Sequence, residues 1–249
     1  MQVNEGTRYE TDGAVAIITV NAPPVNAFSA MVRQGIASAL EMADKDDAVG
    51  VVVLICEGKT FFAGADITEF GKPVIEPSLR NMQAIIENFP KPVVAAIHGT
   101  ALGGGLETAL VCHYRIAVPS ARMGLPEVNL GLLPGAGGTQ RLPRIIGVEA
   151  ALDLMTSGKQ IGAKAALGLA LIDRLAAESS LRADACAFAR TMLEEKRSLM
   201  KVRDMNEKLD EARARPSLFE DFRKAHARQF RGFKAPENII RSVENTLKM

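Results

Sequence analysis

Ala101-Leu102-Gly103-Gly104-Gly105-Leu106-Glu107 is the stretch on which the fold of this chain turns, because an apolar run, Pro92 to Ile97, precedes it and another, Leu106 to Val111, follows. Three glycines between two such runs let the backbone turn sharply and bring bare N–H groups close to a ligand. They also open a helix whose positive end faces that ligand. Such a turn supplies half of an oxyanion hole. The other half needs a second N–H, and the loop Ala63-Gly64-Ala65-Asp66, just after the strand-like run Val49 to Ile55, is the natural source. Two backbone donors of this kind are typically worth about 3 kcal/mol or more each at a developing oxyanion in a dry site. Two acids accompany the loops: Glu107 at the helix start, and Glu127 after Pro126 and ahead of Pro134-Gly135-Ala136-Gly137-Gly138. Proton transfer beside a carbonyl requires a positioned carboxylate. The pattern therefore points to a carbonyl oxygen that turns negative with two acids next to it, although either acid alone also reads as a helix-start acid favoured by about 0.3 to 1 kcal/mol.

The 249 residues are 47% hydrophobic, enough for one large domain or a domain plus an appendage with a sizeable core. Thirty basic against 29 acidic residues leave a net charge of +1. No basic block is present, so nucleic acid is not an expected partner and an anionic ligand has to be met by local groups. Cys56, Cys112 and Cys186 sit in apolar stretches without metal-like spacing, which fits reduced buried thiols in a reducing compartment. Met1 to Asp12 is polar, and no apolar run reaches the roughly 18 residues of a membrane span, so a cytoplasmic protein without a membrane partner is expected.

Strand and helix signals alternate. Ala14 to Val20 reads as a strand, Ser29 to Lys45 as an amphipathic helix capped by Ser29, and Val49 to Ile55 as a buried strand. Leu79 to Phe89 is expected helical, Val93 to Ile97 a strand, Gly105 to Cys112 a helix, and Tyr114 to Val118 a strand. Helices follow at Glu149 to Ser157, Ala163 to Ala170 and Leu181 to Glu195, and residues 1–195 are taken as the core. Residues 196–249 form a charged helical region, with one helix from Pro216 towards Gly232 and another from Ala235 through Leu247. No Gly-x-Gly-x-x-Gly fingerprint follows a strand, so a dinucleotide-binding dehydrogenase portion is not expected within these residues. Asp66 reads best as a cap of a short helix. His98, His113 and His226 form no metal set, and Gly135 to Gly138 lacks the Lys-Ser/Thr ending of a phosphate loop.

In order along the chain, Phe62-Ala63-Gly64-Ala65-Asp66-Ile67, Lys91 to Gly99, Ala101 to Glu107, and Gly124-Leu125-Pro126-Glu127-Val128 through Pro143 resemble the crotonase (enoyl-CoA hydratase/isomerase) superfamily. Pro23 to Ala27, Cys112 to Ile116, Ala151 to Lys159 and the tail around Ala235 to Val243 are similar to its branch in the multifunctional enzymes of fatty-acid oxidation. The resemblance implies an α/β fold with a ββα spiral core and a C-terminal helical region. The implied reaction is syn hydration of a trans-2-enoyl-CoA thioester. Ala65 and Gly104 would bind the thioester oxygen, Glu107 would orient the water, and Glu127 would protonate C2. Ala63, Gly64, Asp66, Ile67, Gly103 and Gly135 would contact substrate or CoA. Where the family often carries a basic residue after this loop, the chain has Thr68, leaving Lys59 or another lysine as the substitute. Coenzyme A enters as part of the substrate, and no further cofactor or metal is implied. Enoyl-CoA isomerisation, another reaction on an acyl-CoA thioester, and non-catalytic acyl-CoA binding stay open as alternatives. The tail, with Leu218, Phe219, Phe222, Phe230 and Phe233, is expected to fold back over its own site and weaken a homotrimer interface, and a partner dehydrogenase domain is the further association implied.

Overall fold

In the computed structural model, which describes residues 1–69 and 71–248, the apolar runs form one twisted sheet. Strands β1 (Gln2–Asn4), β2 (Thr7–Asp12) and β3 (Val15–Val20) pair antiparallel in succession. A two-residue turn at Gly13-Ala14, with Gly13 at φ 58°, joins β2 to β3. From β3 the sheet continues in parallel through β4 (Val51–Cys56), β5 (Val93–Ile97), β7 (Tyr114–Ala117) and β10 (Arg174–Leu175). Every residue of β3, β4, β5 and β7 is buried, which is why these strands read as unbroken apolar runs rather than as alternating ones. Between the strands lie α1 (Ala30–Lys45) and α2 (Leu79–Glu87). The Ser29 hydroxyl accepts from the Val32 N–H and starts α1, while the Lys91 ammonium caps its far end on the carbonyls of Ala43 and Asp46.

A second, smaller sheet carries the functional loops. In it β6 (Thr100–Leu102) runs parallel to β8 (Arg122–Gly124), and β9 (Gln160–Gly162) pairs antiparallel with β8. Leu102 lies opposite Gly124, so the two parallel strands end side by side. The chain leaves β6 into α3 (Gly104–Val111) and leaves β8 into a 3-10 turn, Pro126–Leu130. Next come α4 (Gly138–Ile146), α5 (Val148–Ser157), α6 (Ala163–Gly168) and α7 (Leu181–Glu194), then the tail helices α8 (Glu207–Arg213), α9 (Leu218–Phe230) and α10 (Ala235–Thr246).

The expected elements are found within a few residues of their sequence bounds. Not foreseen as elements were the short strands β1, β6, β8, β9 and β10, and with them the whole second sheet, together with Thr7–Asp12, a polar strand with one face on α1, and Gly138–Ile146, a helix that contains Pro143 in its interior. The tail folds onto its own chain. Helix α10 packs on α4 and α5, where Gln140 donates to the Ser242 carbonyl and Thr246 donates to the Gln140 side chain. Leu218, Phe219 and Phe222 are buried and Phe230 packs partly against the core, but Phe233 is 69% exposed. Met249, the end of the expected tail, lies outside the described residues.

One contact holds α3 against the Phe62–Ala65 loop. A Cβ built on Gly105 would stand 2.0 Å from the Phe62 carbonyl oxygen, a backbone atom with no rotamer through which to yield. Gly105→Ala should therefore cost about 3 kcal/mol or more in urea unfolding, and a loss under about 1 kcal/mol would mean the two segments are not in obligatory contact.

Candidate active site

The two loops meet around a cavity of about 680 Å³. Gly103 takes φ 52° and ψ −125°, a conformation open to glycine, and turns the chain from β6 into α3. Gly64, at φ 130°, turns the facing loop, which is tied down by Phe28 N–H donating to the Gly64 carbonyl and Leu102 N–H donating to the Phe62 carbonyl. A Cβ on Gly104 would lie 3.3 Å from the Ala65 nitrogen, so the two loop peptides are near neighbours. Neither the Ala65 nor the Gly104 N–H donates to another described residue. Ala63, Gly64, Ala65, Ile67, Gly103, Gly104 and Gly135 all border the cavity. Asp66 does not; its carboxylate accepts from the Thr68 N–H and caps the short turn Ile67–Glu69, and hydrogen bonds from the Thr68 hydroxyl first and its N–H second hold it below the usual aspartate range.

Glu107 and Glu127 border the same cavity because the parallel pair β6–β8 delivers their two loops side by side, stitched by the Gly103 N–H to the Gly124 carbonyl. Their surroundings differ. Glu107 is 3% exposed, and its Oε1 accepts from the Ala136 N–H at 2.7 Å and the Gly138 N–H at 2.8 Å. Burial raises the Glu107 carboxyl above its ordinary value, against the pull of those two N–H groups and of Arg141 and Arg80. Glu127 has a buried Oε2 without a hydrogen-bond partner among the described residues. Desolvation first, then the charge on Glu107, pushes its carboxyl up to about 7.

The glycine-rich turn thus does something its sequence did not disclose: its N–H groups grip the buried acid. Glycine is required there, since a Cβ at Gly138 would meet Leu125 Cδ1 at 2.8 Å and Glu107 Oε1 at 3.1 Å. Also unforeseen are the apolar wall of Leu79, Leu130, Leu132 and Leu133, the contribution of Asn238 from α10, and Arg80, the one cation among the described lining residues. None of these carries a motif. Lys59 borders a separate hollow with Gly58 and His98, away from this cavity. His113 does have a partner, accepting the Val93 N–H at 3.0 Å, while His98 lies beside the Gly58 carbonyl and His226 stacks between Phe222 and Phe230. Among the described residues no acidic, cysteine and histidine group could hold a metal, the three cysteines are free and buried, and no helix is long and apolar enough to cross a membrane.

Residues 10–244 match the enoyl-CoA hydratase/isomerase family. This chain belongs to that family. A peroxisomal bifunctional enzyme from Danio rerio is 52% identical over 174 residues, which cover 70% of this chain and 24% of that protein. A probable enoyl-CoA hydratase from Bacillus subtilis is 45% identical over 168 residues, 65% of each chain. The chain thus spans less than two thirds of the length of these curated relatives. The crystal structure of an enoyl-CoA hydratase from Bacillus anthracis superposes with a TM-score of 0.71 at 27% identity, covering 93% of this chain and 99% of that one. The α/β spiral expected of the hydratase/isomerase family is thus the fold observed.

A carboxyl with a folded pKa of about 7 against an ordinary 4.5 holds its proton more tightly in the folded state, so its contribution to stability is full below the ordinary value and is lost as pH rises through the folded one. Glu127→Gln should therefore melt above the wild type at about pH 8, with the gap closing towards about pH 4.5. A Tm difference that is absent or reversed at the higher pH would place Glu127 in a wetter setting than the structure gives it.

Proposed function

We propose that this chain adds water in syn fashion to trans-2-enoyl-CoA thioesters, the hydration step of fatty-acid β-oxidation. The observation that carries the reading is the pairing, beside two N–H groups that no described residue accepts, of a carboxyl fixed by backbone donors with one raised to about 7. The thioester oxygen accepts from the Ala65 and Gly104 N–H groups, so charge that builds on it as water attacks C3 is met by donors already in place. Glu107, ionised, takes the water as its hydrogen-bond partner through its remaining oxygen and draws off a proton as attack proceeds. Glu127, protonated, delivers its proton to C2 of the enolate. Both groups act from one side of the substrate, which gives syn addition.

The acyl chain runs along Leu130, Leu132 and Leu133, and coenzyme A comes and goes with the substrate. The same pair of acids can carry a proton between C4 and C2, so isomerisation of a trans-3-enoyl-CoA is a side activity of this reading. We read the tail as completing the site through Asn238. The resemblance to the multifunctional enzymes of fatty-acid oxidation makes a dehydrogenase portion the natural partner, and the cytoplasm, or an organelle matrix like that in the name of the peroxisomal relative, the compartment.

Glu107→Gln and Glu127→Gln should each lower turnover by about 10²-fold or more while leaving the fold intact, the usual scale for a general acid or base. Loss of the conjugated thioester absorbance of a short trans-2-enoyl-CoA follows the reaction, and near-normal turnover in either variant would remove that residue from the mechanism.

A further inference from the structure

Arg80 occupies the second position of α2, after the cap Ser78, where a positive charge opposes the helix dipole. Helix stability therefore does not explain it. The side chain instead reaches across to the glycine-rich turn, where Nε and Nη2 both donate to the Gly135 carbonyl, at 3.0 and 2.6 Å. That carbonyl and the Ala136 N–H belong to one peptide plane, and the N–H donates to Glu107 Oε1 at 2.7 Å. We propose that Arg80 is a positioning residue for Glu107: it grips the Gly135–Ala136 peptide by its oxygen and so holds the opposite N–H on the carboxylate.

Three physical points support the assignment. A peptide unit is rigid and planar, so fixing its oxygen fixes the direction of its N–H. Two donors of a planar guanidinium on one oxygen set orientation as well as distance, and the positive charge polarises the amide into a stronger donor at its other end. Packing does not do this work, because a Cβ on Gly135 would meet nothing nearer than the Leu133 carbonyl oxygen at 4.0 Å. A glycine in open space is free to turn, and an anchor from outside the loop is what stops it.

The charged groups around Glu107 are Glu127 on the 3-10 turn, Arg141 on α4 and Arg80 on α2. Arg141 is already committed to a two-pronged bond with buried Glu87. Removing Arg80 takes away a cation and loosens an N–H donor, and both changes favour the protonated form of Glu107.

The proposal rests on the reading of Glu107 as the group that handles the water, so the test has one arm that needs turnover and one that does not. In Arg80→Met, kcat for hydration should fall on the order of 10- to 100-fold, the scale for a displaced catalytic group, with KM little changed and the acidic limb of the kcat/KM profile moved to higher pH. Arg80→Lys keeps the charge but not the two-pronged bond, so it should restore the limb and recover kcat only in part. In protein carrying carbon-13 at the glutamate carboxyls, with the Glu107 signal assigned by Glu107→Gln, the Glu107 titration midpoint should rise in Arg80→Met whether or not the chain hydrates enoyl-CoA. A higher KM with an unchanged midpoint would make Arg80 a contact to the ligand and overturn the proposal, as would a midpoint that does not move in a folded Arg80→Met or, if that variant melts early, equal midpoints in Arg80→Lys and Arg80→Gln.

Discussion

The close approach of the Phe62–Ala65 loop to the N-terminus of α3 is the constraint from which the rest of the site follows. With Gly105 only a hydrogen's width from the Phe62 carbonyl, the first turn of the helix lies directly against the loop. The Ala65 and Gly104 nitrogens are thereby brought to one place, and both are left without an acceptor among the described residues. N–H groups that face a cavity rather than a protein acceptor are donors in place for an oxygen that arrives there. The core provides the stability for this arrangement: four fully buried strands and the helices around them hold the loops in a backbone geometry that the glycines alone would not keep.

The second sheet does for the acids what that contact does for the amides. Because β6 and β8 are parallel neighbours in register, Glu107 and Glu127 emerge on one cavity, and two carboxylates so placed do not ionise with equal ease. Hydrogen bonds decide which one does. A bond to a charged group is worth about 1.5 to 3 kcal/mol, and Glu107 receives two from the glycine-rich turn while the buried Glu127 oxygen receives none among the described residues. Burial raises both carboxyls, and the two N–H donors pull only Glu107 back down, while the charge on Glu107 pushes Glu127 further up, to about 7. The difference in surroundings comes from the backbone of residues 135–138 rather than from the acids themselves.

Much of this is legible in the amino-acid sequence. Strands buried on both faces announce themselves as apolar runs, Ser29 announces the start of α1, and the order of Gly64, Gly103 to Gly105, Glu107 and Glu127 announces the site. What stayed hidden depends on contacts distant along the chain. Thr7–Asp12 is polar because one of its faces is in water, so its pairing with β3 left no apolar run to read. Helix α4 starts at a glycine pair and holds a proline, both signals against a helix, which packing against α3, α5 and α10 outweighs. Arg80 lies 27 positions before Glu107 in an ordinary amphipathic helix, and its link to the carboxylate runs through a peptide bond of a third segment. No spacing rule encodes that route. Asn238 is hidden for the same reason: only the fold-back of α10 brings it to the cavity.

The central claim is that two loop amides polarise a thioester carbonyl in this cavity. The most direct measurement is the infrared or Raman difference spectrum of a trans-2-enoyl-CoA with carbon-13 at the thioester carbonyl, bound to the Glu127→Gln chain, which should hold the compound without turning it over. If the Ala65 and Gly104 N–H groups donate to the oxygen as described, the labelled carbonyl band lies at lower frequency than for the same compound in water, because donors fixed in a dry site polarise the bond more than mobile solvent does. A bound carbonyl at the frequency found in water, or above it, would contradict the account.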